Sequence, residues 1–313
     1  NTPAMNVHHP ELQNALLTAA QDAGADVMRA ARVCALEPGA PVWVSIEAGA
    51  RTRRLRARLA VIADGRSSRL RRELAVPISA TASAMRVAGV LVSGVPCPEA
   101  AISAFYPATF GALAALFPLP GDRARIYFAY HRALALPSYA GSDALAALFE
   151  RCTWAGMPSH WLEHARAIGP LATIDTTFAA PRSAALPGGI AFIGDAAGNV
   201  DPTFGCGLSL ALRDARCLAE CLARDGDVSV ATADYARQRA TYHRALRRIE
   251  GWLTRVLYET GPGADALRAS ALPRVDELGV DVIGAGPDSP CDDETERRIF
   301  GSDSQDRLSA RSL

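Results

Sequence analysis

The chain has 313 residues, 49% of them apolar, and its 33 basic side chains balance 33 acidic ones. That length can bury a large core and form two domains, while zero net charge gives no reason to expect nucleic acid or an anionic membrane as partner. The sequence holds no lysine, which excludes a lysine Schiff base and any lysine-dependent catalysis carried by these residues.

In chain order, the sequence begins with Asn1, and a helix is expected over Glu11 to Ala23. Leu12, Ala15, Leu16, Ala19 and Ala20 form its apolar positions, and Gly24 stops it. Ala25 to Leu36 reads as a strand. Leu59 to Ile62 is another, and it runs into Ala63-Asp64-Gly65-Arg66-Ser67-Ser68-Arg69-Leu70-Arg71. Taken alone, Asp-Gly is a common turn. On that local reading Asp64 and Ser68 cap a short helix that carries Arg71 on its surface.

Ala100 to Pro120 carries no charge and is long enough to suggest a membrane span. Pro107, Gly111, Pro118 and Pro120 divide it, however, and its pieces Ile102 to Tyr106 and Ala112 to Phe117 are strand-length. Arg123 to Tyr130 alternates, with Arg123, Arg125, Tyr127 and Ala129 on one face. Together with Met85 to Val92 these strands predict an antiparallel sheet. Phe105, Tyr106, Phe110, Leu116, Phe117 and Tyr127 suit a hydrophobic or aromatic substrate, although core packing alone accounts for most of them. Arg125 and Tyr127 are the candidates for polar substrate contacts. His160 and His164 read as sharing a helix face without a third metal ligand, hence as surface or packing residues.

Gly189 to Asp214 is the most informative stretch. Ile190 to Ile193 reads as a buried strand that ends in Gly194-Asp195. A loop with Pro202 and Gly205-Cys206-Gly207 follows, and then a helix from Gly207 to Ala223. A strand's carboxyl end feeding a helix N-terminus is where α/β folds bind nucleotide cofactors. Asp195 presents a carboxylate to accept from a ribose or ribityl hydroxyl. The backbone N–H groups of Gly205, Gly207 and Leu208 are expected to face negative charge, because a helix start leaves its first donors unpaired.

Thr232 to Leu257 predicts a long amphipathic helix, with Tyr235, Tyr242, Leu246, Ile249 and Leu253 as its buried stripe and its charges as a solvated face. Ala264 to Ser270 and Asp292 to Phe300 predict shorter helices, and the polar residues from Gly301 onward a disordered tail. Val282-Ile283-Gly284-Ala285-Gly286-Pro287-Asp288-Ser289 offers a Gly-x-Gly but lacks the third glycine and a following helix, so it reads as a loop. Cys34, Cys97, Cys152, Cys206, Cys217, Cys221 and Cys291 show no metal spacing. Their odd count and the lack of a signal peptide point to reduced thiols in a cytoplasmic protein. Cys217 and Cys221 lie one helical turn apart and read as core, and Cys206 as a small filler in the loop.

Two of these motifs resemble those of the flavin-dependent aromatic hydroxylases, the p-hydroxybenzoate hydroxylase-like FAD monooxygenases. The quoted residues are Gly194-Asp195-Ala196-Ala197, Pro202, Gly205-Cys206-Gly207 and Asp214, and upstream Asp64, Gly65, Ser68 and Arg71. The resemblance implies an α/β (α+β) fold with a Rossmann-like FAD-binding domain, here lacking its opening Gly-x-Gly-x-x-Gly unit. Residues 1–75 and 188–225 would form that domain, 76–187 a substrate-binding antiparallel sheet and 226–300 a helical region, with 301–313 as the tail. It implies that Asp195, after Gly194, binds the ribityl chain, that Pro202 and Thr203 line the flavin, that the helix from Gly207 stabilises charge on its pyrimidine edge, and that Leu208 and Ser209 are among the cofactor-binding residues. Ser209 stands where many members have Asn. Gly198 stands where many have His, which brings the pattern nearer to halogenases and reductases of the same fold. Asp64 and Arg71 would lie near the pyrophosphate and help to admit the nicotinamide donor. His9 would lie against the FAD phosphates, and Val33 on the strand that meets the adenine. The implied activity is hydroxylation or epoxidation of a small hydrophobic or aromatic substrate with FAD, NAD(P)H and dioxygen. A flavin reductase, a flavin halogenase, or an inactive fragment or binding module without flavin are the alternatives.

Overall fold

The computed structural model describes residues 6–96, 101–136, 139, 141–278, 288 and 291–301. In chain order its elements are α1 (His9–Asp22), β1 (Ala31–Glu37), β2 (Val42–Ala48), β3 (Arg51–Ala57), β4 (Ala60–Ile62), α2 (Arg69–Glu73), β5 (Ile78–Thr81) and β6 (Met85–Ser93). Then come β7 (Ser103–Phe105), β8 (Ala112–Leu119), β9 (Arg123–His131), α3 (Ala144–Trp154), β10 (Arg166–Ala167), β11 (Ala172–Asp175) and β12 (Phe178–Pro181). Last are β13 (Ala185–Leu186), β14 (Ile190–Phe192), α4 (Gly207–Arg224), α5 (Val228–Leu257), α6 (Pro262–Leu278) and α7 (Asp293–Phe300). They form two compact units. The first holds the described residues of 1–29, 84–175 and 257–260, the second those of 30–83, 176–256 and 261–313.

The first unit is built on an antiparallel sheet in the order β10-β6-β9-β8-β7, with β11 also paired to β6. Period-2 alternation sends Val90, Val92, Ala114, Leu116, Ile126 and Phe128 to one buried face. There they meet Leu148 and Cys152 of α3, a helix that the sequence reading did not include. Arg123, Arg125 and Tyr127 lie on the opposite, half-buried face. Gly89 of β6 is the residue that lets Tyr127 lie there, because a Cβ on Gly89 would come within 2.5 Å of the Tyr127 ring. The uncharged stretch forms β7 and β8, and among the described residues no helix is long and apolar enough to cross a membrane. Helix α1 belongs to this unit, where the Arg123 guanidinium reaches Glu11 at 3.1 Å. His160 sits in a 3-10 turn, Ser159–Trp161, and His164 in the turn after it. The two histidines therefore share no helix face, because Pro158 starts too short a turn.

The second unit carries three small sheets. In one, β14 pairs antiparallel with β13 and parallel with β4, placing Ile190 beside Ala60 and Phe192 beside Ile62. The antiparallel meander β1-β2-β3 follows from the β-branched alternation of Val42, Val44 and Ile46. β5 pairs with β12. Helices α4 and α5 cover β14, with Leu210, Leu218, Tyr235, Tyr242 and Leu246 packed against Ile190 and Phe192. The Tyr235 hydroxyl donates to the Phe192 carbonyl at 2.7 Å. The tyrosines, Leu246 and Ile249 of the expected stripe are buried, and Leu253 is half-buried. The expectation that the charges of α5 form a solvated face is corrected: Arg239 is 4% exposed and Glu250 2%, because each has polar partners waiting inside. Cys217 and Cys221 are buried free thiols. α6 runs longer than expected, and Asp292 caps α7 by accepting from the Thr295 N–H at 2.8 Å. Of the expected Gly-x-Gly loop only Asp288 is among the described residues, and it takes both Arg213 guanidinium nitrogens at 2.8 and 2.9 Å. The expected tail beyond Gly301 lies outside the described residues.

Candidate functional site

The site is built at the carboxyl end of β14. There the chain makes one 3-10 turn, Gly194–Ala196. Gly194 has φ +57°, and a Cβ on it would stand 3.3 Å from the Ala211 Cβ of α4, so only glycine lets the turn press so closely on the helix. The Gly194 N–H donates to Asp214 Oδ2 at 2.8 Å. Asp214, fully buried, also accepts from Arg239 Nε at 2.9 Å and from the Tyr242 hydroxyl at 2.5 Å. Arg239 then reaches the Gly198 carbonyl at 3.2 Å. Burial, reinforced by Asp214, raises the pKa of Tyr242 far above its usual value, so it stays a donor.

This network locks the turn from behind. Across Gly194–Val200, Asp195 is the one residue that is not buried. Among the described residues nothing donates to its carboxylate.

The next turn, Pro202–Phe204, opens at Asp201, whose carboxylate accepts from the Thr203 N–H at 2.9 Å and hydroxyl at 2.7 Å. Gly205 closes it with φ +68° and donates its own N–H to the Pro202 carbonyl at 3.2 Å. The expectation that Gly205 offers a free donor is thus corrected, because the turn consumes it. Gly207 and Leu208 donate to no acceptor among the described residues, and Cys206 supplies no side-chain cap to α4. The 18-residue helix therefore presents its positive end uncapped, with Ser209 exposed on its first turn. Burial pushes the Cys206 thiol up, and its Sγ donates to the Phe204 carbonyl, so it is a filler and no thiolate.

The Asp-Gly motif lies alongside, since β4 is the parallel neighbour of β14. Asp64 and Ser68 do cap α2, accepting from the Leu70 and Arg71 N–H groups at 3.2 and 3.1 Å. Arg71, however, is not on the surface. It is 5% exposed and donates to the Ala196 carbonyl at 2.9 Å and the Arg66 carbonyl at 3.0 Å. One buried guanidinium thereby ties both motifs together. Arg71→Met is expected to lower stability by about 2 kcal/mol, because two carbonyls lose their donor. Urea unfolding followed by circular dichroism checks this, and an unchanged midpoint would contradict the tie.

Val33 sits in β1, and its carbonyl accepts from the Arg69 guanidinium, so that acceptor is already engaged. His9 is exposed at the start of α1, in the first unit. Arg125 and Tyr127 are also in the first unit, on the half-buried sheet face, where Tyr127 packs edge-on against Phe117 at 5.6 Å. The second unit thus gathers Asp64, Arg71, Gly194, Asp195, Pro202, Gly205, Gly207, Leu208 and Ser209. Among the described residues no cluster of His, Cys, Asp and Glu could hold a metal ion.

The donor set fits a flavin nucleotide. An unengaged carboxylate suits a hydroxylated chain, and an uncapped helix start suits an anionic edge. The FAD binding domain family matches residues 2–245. None of the curated proteins matches the sequence. Among solved structures, the flavin-dependent brominase Bmp2 aligns with a TM-score of 0.74 at 16% identity, over 100% of this chain and 78% of its own. The OxyS anhydrotetracycline hydroxylase from Streptomyces rimosus gives 0.62 at 19%, over 93% and 56%. CabE, an aromatic hydroxylase from angucycline biosynthesis, gives 0.65 at 20%, over 89% and 56%. The chain thus spans little more than half the length of either hydroxylase, and these likenesses concern the fold. With most of its length matched and both motifs at neighbouring strand ends, the chain belongs to the FAD binding domain family.

Proposed function

We propose that the chain carries the FAD site of a monooxygenase that uses NAD(P)H and dioxygen to hydroxylate or epoxidise a small hydrophobic or aromatic substrate. The observation that carries this reading is the pairing of the unengaged Asp195 carboxylate with the uncapped start of α4, which packs on the same turn. Asp195 accepts from ribityl hydroxyls. Gly207 and Leu208 donate to the pyrimidine edge, and the helix end favours negative charge there. Pro202 and Thr203 present the ring with a face that carries little polarity of its own. Arg71 places a positive charge behind Ala196 and steadies the turn that holds Asp195. When bound, FAD supplies the redox chemistry that links the nicotinamide donor, dioxygen and substrate. Arg125 and Tyr127 supply polar contacts to substrate from the half-buried face of their sheet. The free thiols at six described positions suit the cytoplasm.

A second reading, a flavin halogenase, is favoured by the brominase, which shares more of its length with this chain than the two hydroxylases do. The test begins with the visible spectrum of the purified chain mixed with FAD and freed of excess. Bound oxidised-flavin bands are expected, followed by NAD(P)H-dependent oxygen uptake that rises with phenolic compounds. Turnover that requires bromide would favour the second reading, and an absence of bound flavin would remove the site from this chain alone.

A further inference from the structure

Glu250 takes no part in the reading above, yet it is among the most buried charged groups of the molecule, 2% exposed on the inner face of α5. Its Oε1 accepts the backbone N–H of Asp201 at 3.0 Å. Its Oε2 accepts from Arg247 Nη1, one turn earlier, at 2.7 Å. Asp201 opens the turn that carries Pro202 and Gly205 and delivers Gly207 to the start of α4. α5 thus grips the loop at its entry through one carboxylate. The groups that face Glu250 are Arg247 on its own helix, and Asp201 and Cys206 from the loop. The Asp201 carboxylate is turned away to Thr203, and the Cys206 thiol is held protonated by burial. His243, two turns earlier on α5, is pushed down to about 3 by burial and by Arg239 and Arg247, so its charge does not change near neutrality.

We propose that Glu250 is a positioning residue for the cofactor loop: it latches Asp201 to α5, and its protonation state sets how firmly the Asp201–Gly207 segment is closed. This rests on the reading of Pro202 to Leu208 as flavin contacts. The direction follows from what covers the carboxylate. The Asp201 entry is the part of the loop bonded to it, and in the latch an ionised Glu250 regains water when that entry lifts. Burial outweighs the help of Arg247 and the Asp201 N–H and raises Glu250 from 4.5 to about 7. A carboxyl group with a higher pKa when covered than when hydrated favours the covered state at low pH. Its contribution to stability is full below about 4.5 and is lost as pH rises through about 7. The loop is therefore held more firmly at pH 6 than at pH 8.

The experiment measures two quantities between pH 6 and pH 9. One is hydrogen-exchange protection of residues 201–207 in the ligand-free chain, corrected for intrinsic rates. The other is FAD affinity by fluorescence quenching. Both are expected to fall about tenfold as pH rises through 7. Glu250→Gln, uncharged throughout, is expected to keep the low-pH value of both at every pH. Arg247→Met, which removes the cation that favours the ionised form, is expected to move the step to higher pH, and it serves if the glutamine variant does not fold. A pH-independent loop in the unmodified chain, or a step that survives Glu250→Gln, would overturn the latch. Absent FAD binding at every pH would instead overturn the cofactor reading on which its role rests.

Discussion

Asp214→Ala is expected to destabilise the protein by about 3–5 kcal/mol, the cost of breaking a buried ion pair from one side. The carboxylate is fully buried and accepts from the Gly194 N–H, Arg239 and Tyr242. Its removal strands a guanidinium that is itself 4% exposed, together with a backbone donor and a hydroxyl. Urea unfolding measures the loss, and a change below about 1 kcal/mol would contradict the network, since that is the scale of an ordinary surface substitution. Asp214→Asn keeps one acceptor and is expected to lose less. Because Asp214 and Arg239 act as a unit, the double replacement Asp214→Ala with Arg239→Leu is expected to cost less than the two single losses added together. That deficit separates a true pair from two independent packing defects.

Asp195→Ala is expected to do the reverse. No described residue donates to its carboxylate, and it is the residue of its turn that is not buried, so folding stability should shift by no more than about 0.5 kcal/mol. FAD affinity is expected to fall roughly a hundredfold, as charge-assisted hydrogen bonds worth about 2–3 kcal/mol disappear. Equilibrium dialysis against FAD, with the thermal midpoint measured on the same sample, distinguishes the two residues. Unchanged flavin binding in a folded Asp195→Ala protein would sink the assignment of Asp195. Loss of both binding and stability would make it a structural group like Asp214.

Much of this arrangement was legible because it depends on local pattern. The strand at Ile190, the turn at Gly194 and the helix from Gly207 are set by apolar runs and by glycines whose backbone angles few other residues accept. The antiparallel strands β6, β8 and β9 declare themselves through alternation. What escaped depends on partners distant in sequence. Arg71 reads as a surface residue on a five-residue helix until the Ala196 carbonyl arrives from the turn after the neighbouring strand β14, distant in sequence. Arg239 and Glu250 looked like solvated charges, since a charge is buried only where partners await it. Yet a signal was present: positions 235, 239, 242, 246 and 250 follow the three- and four-residue spacing of one helix face. Two charges on an apolar stripe mark buried polar contacts. Helix α3 also had a legible stripe in Leu145, Leu148, Phe149 and Cys152, which the surrounding strands overshadowed. The donor of Gly205 was misjudged because the bookkeeping of a tight turn needs its coordinates.

The parallel pairing of β4 with β14 sets an order of events during synthesis. Ala60 leaves the ribosome long before Ile190, its partner in the sheet, and the sheet-bearing stretch Ala84–Asp175 of the first unit is made in between. At about 5–20 residues per second, β4 waits for about 6–26 seconds as an unpaired apolar segment. Val61, 43% exposed even in the finished fold, is then open to capture by another nascent chain. The β7-β8-β9 part of the first unit's antiparallel sheet closes over short loops and can form during that wait. Slower translation past Asp175 would lengthen the exposure, so yield in expression should depend on codon speed between the two strands more than on the strength of either motif.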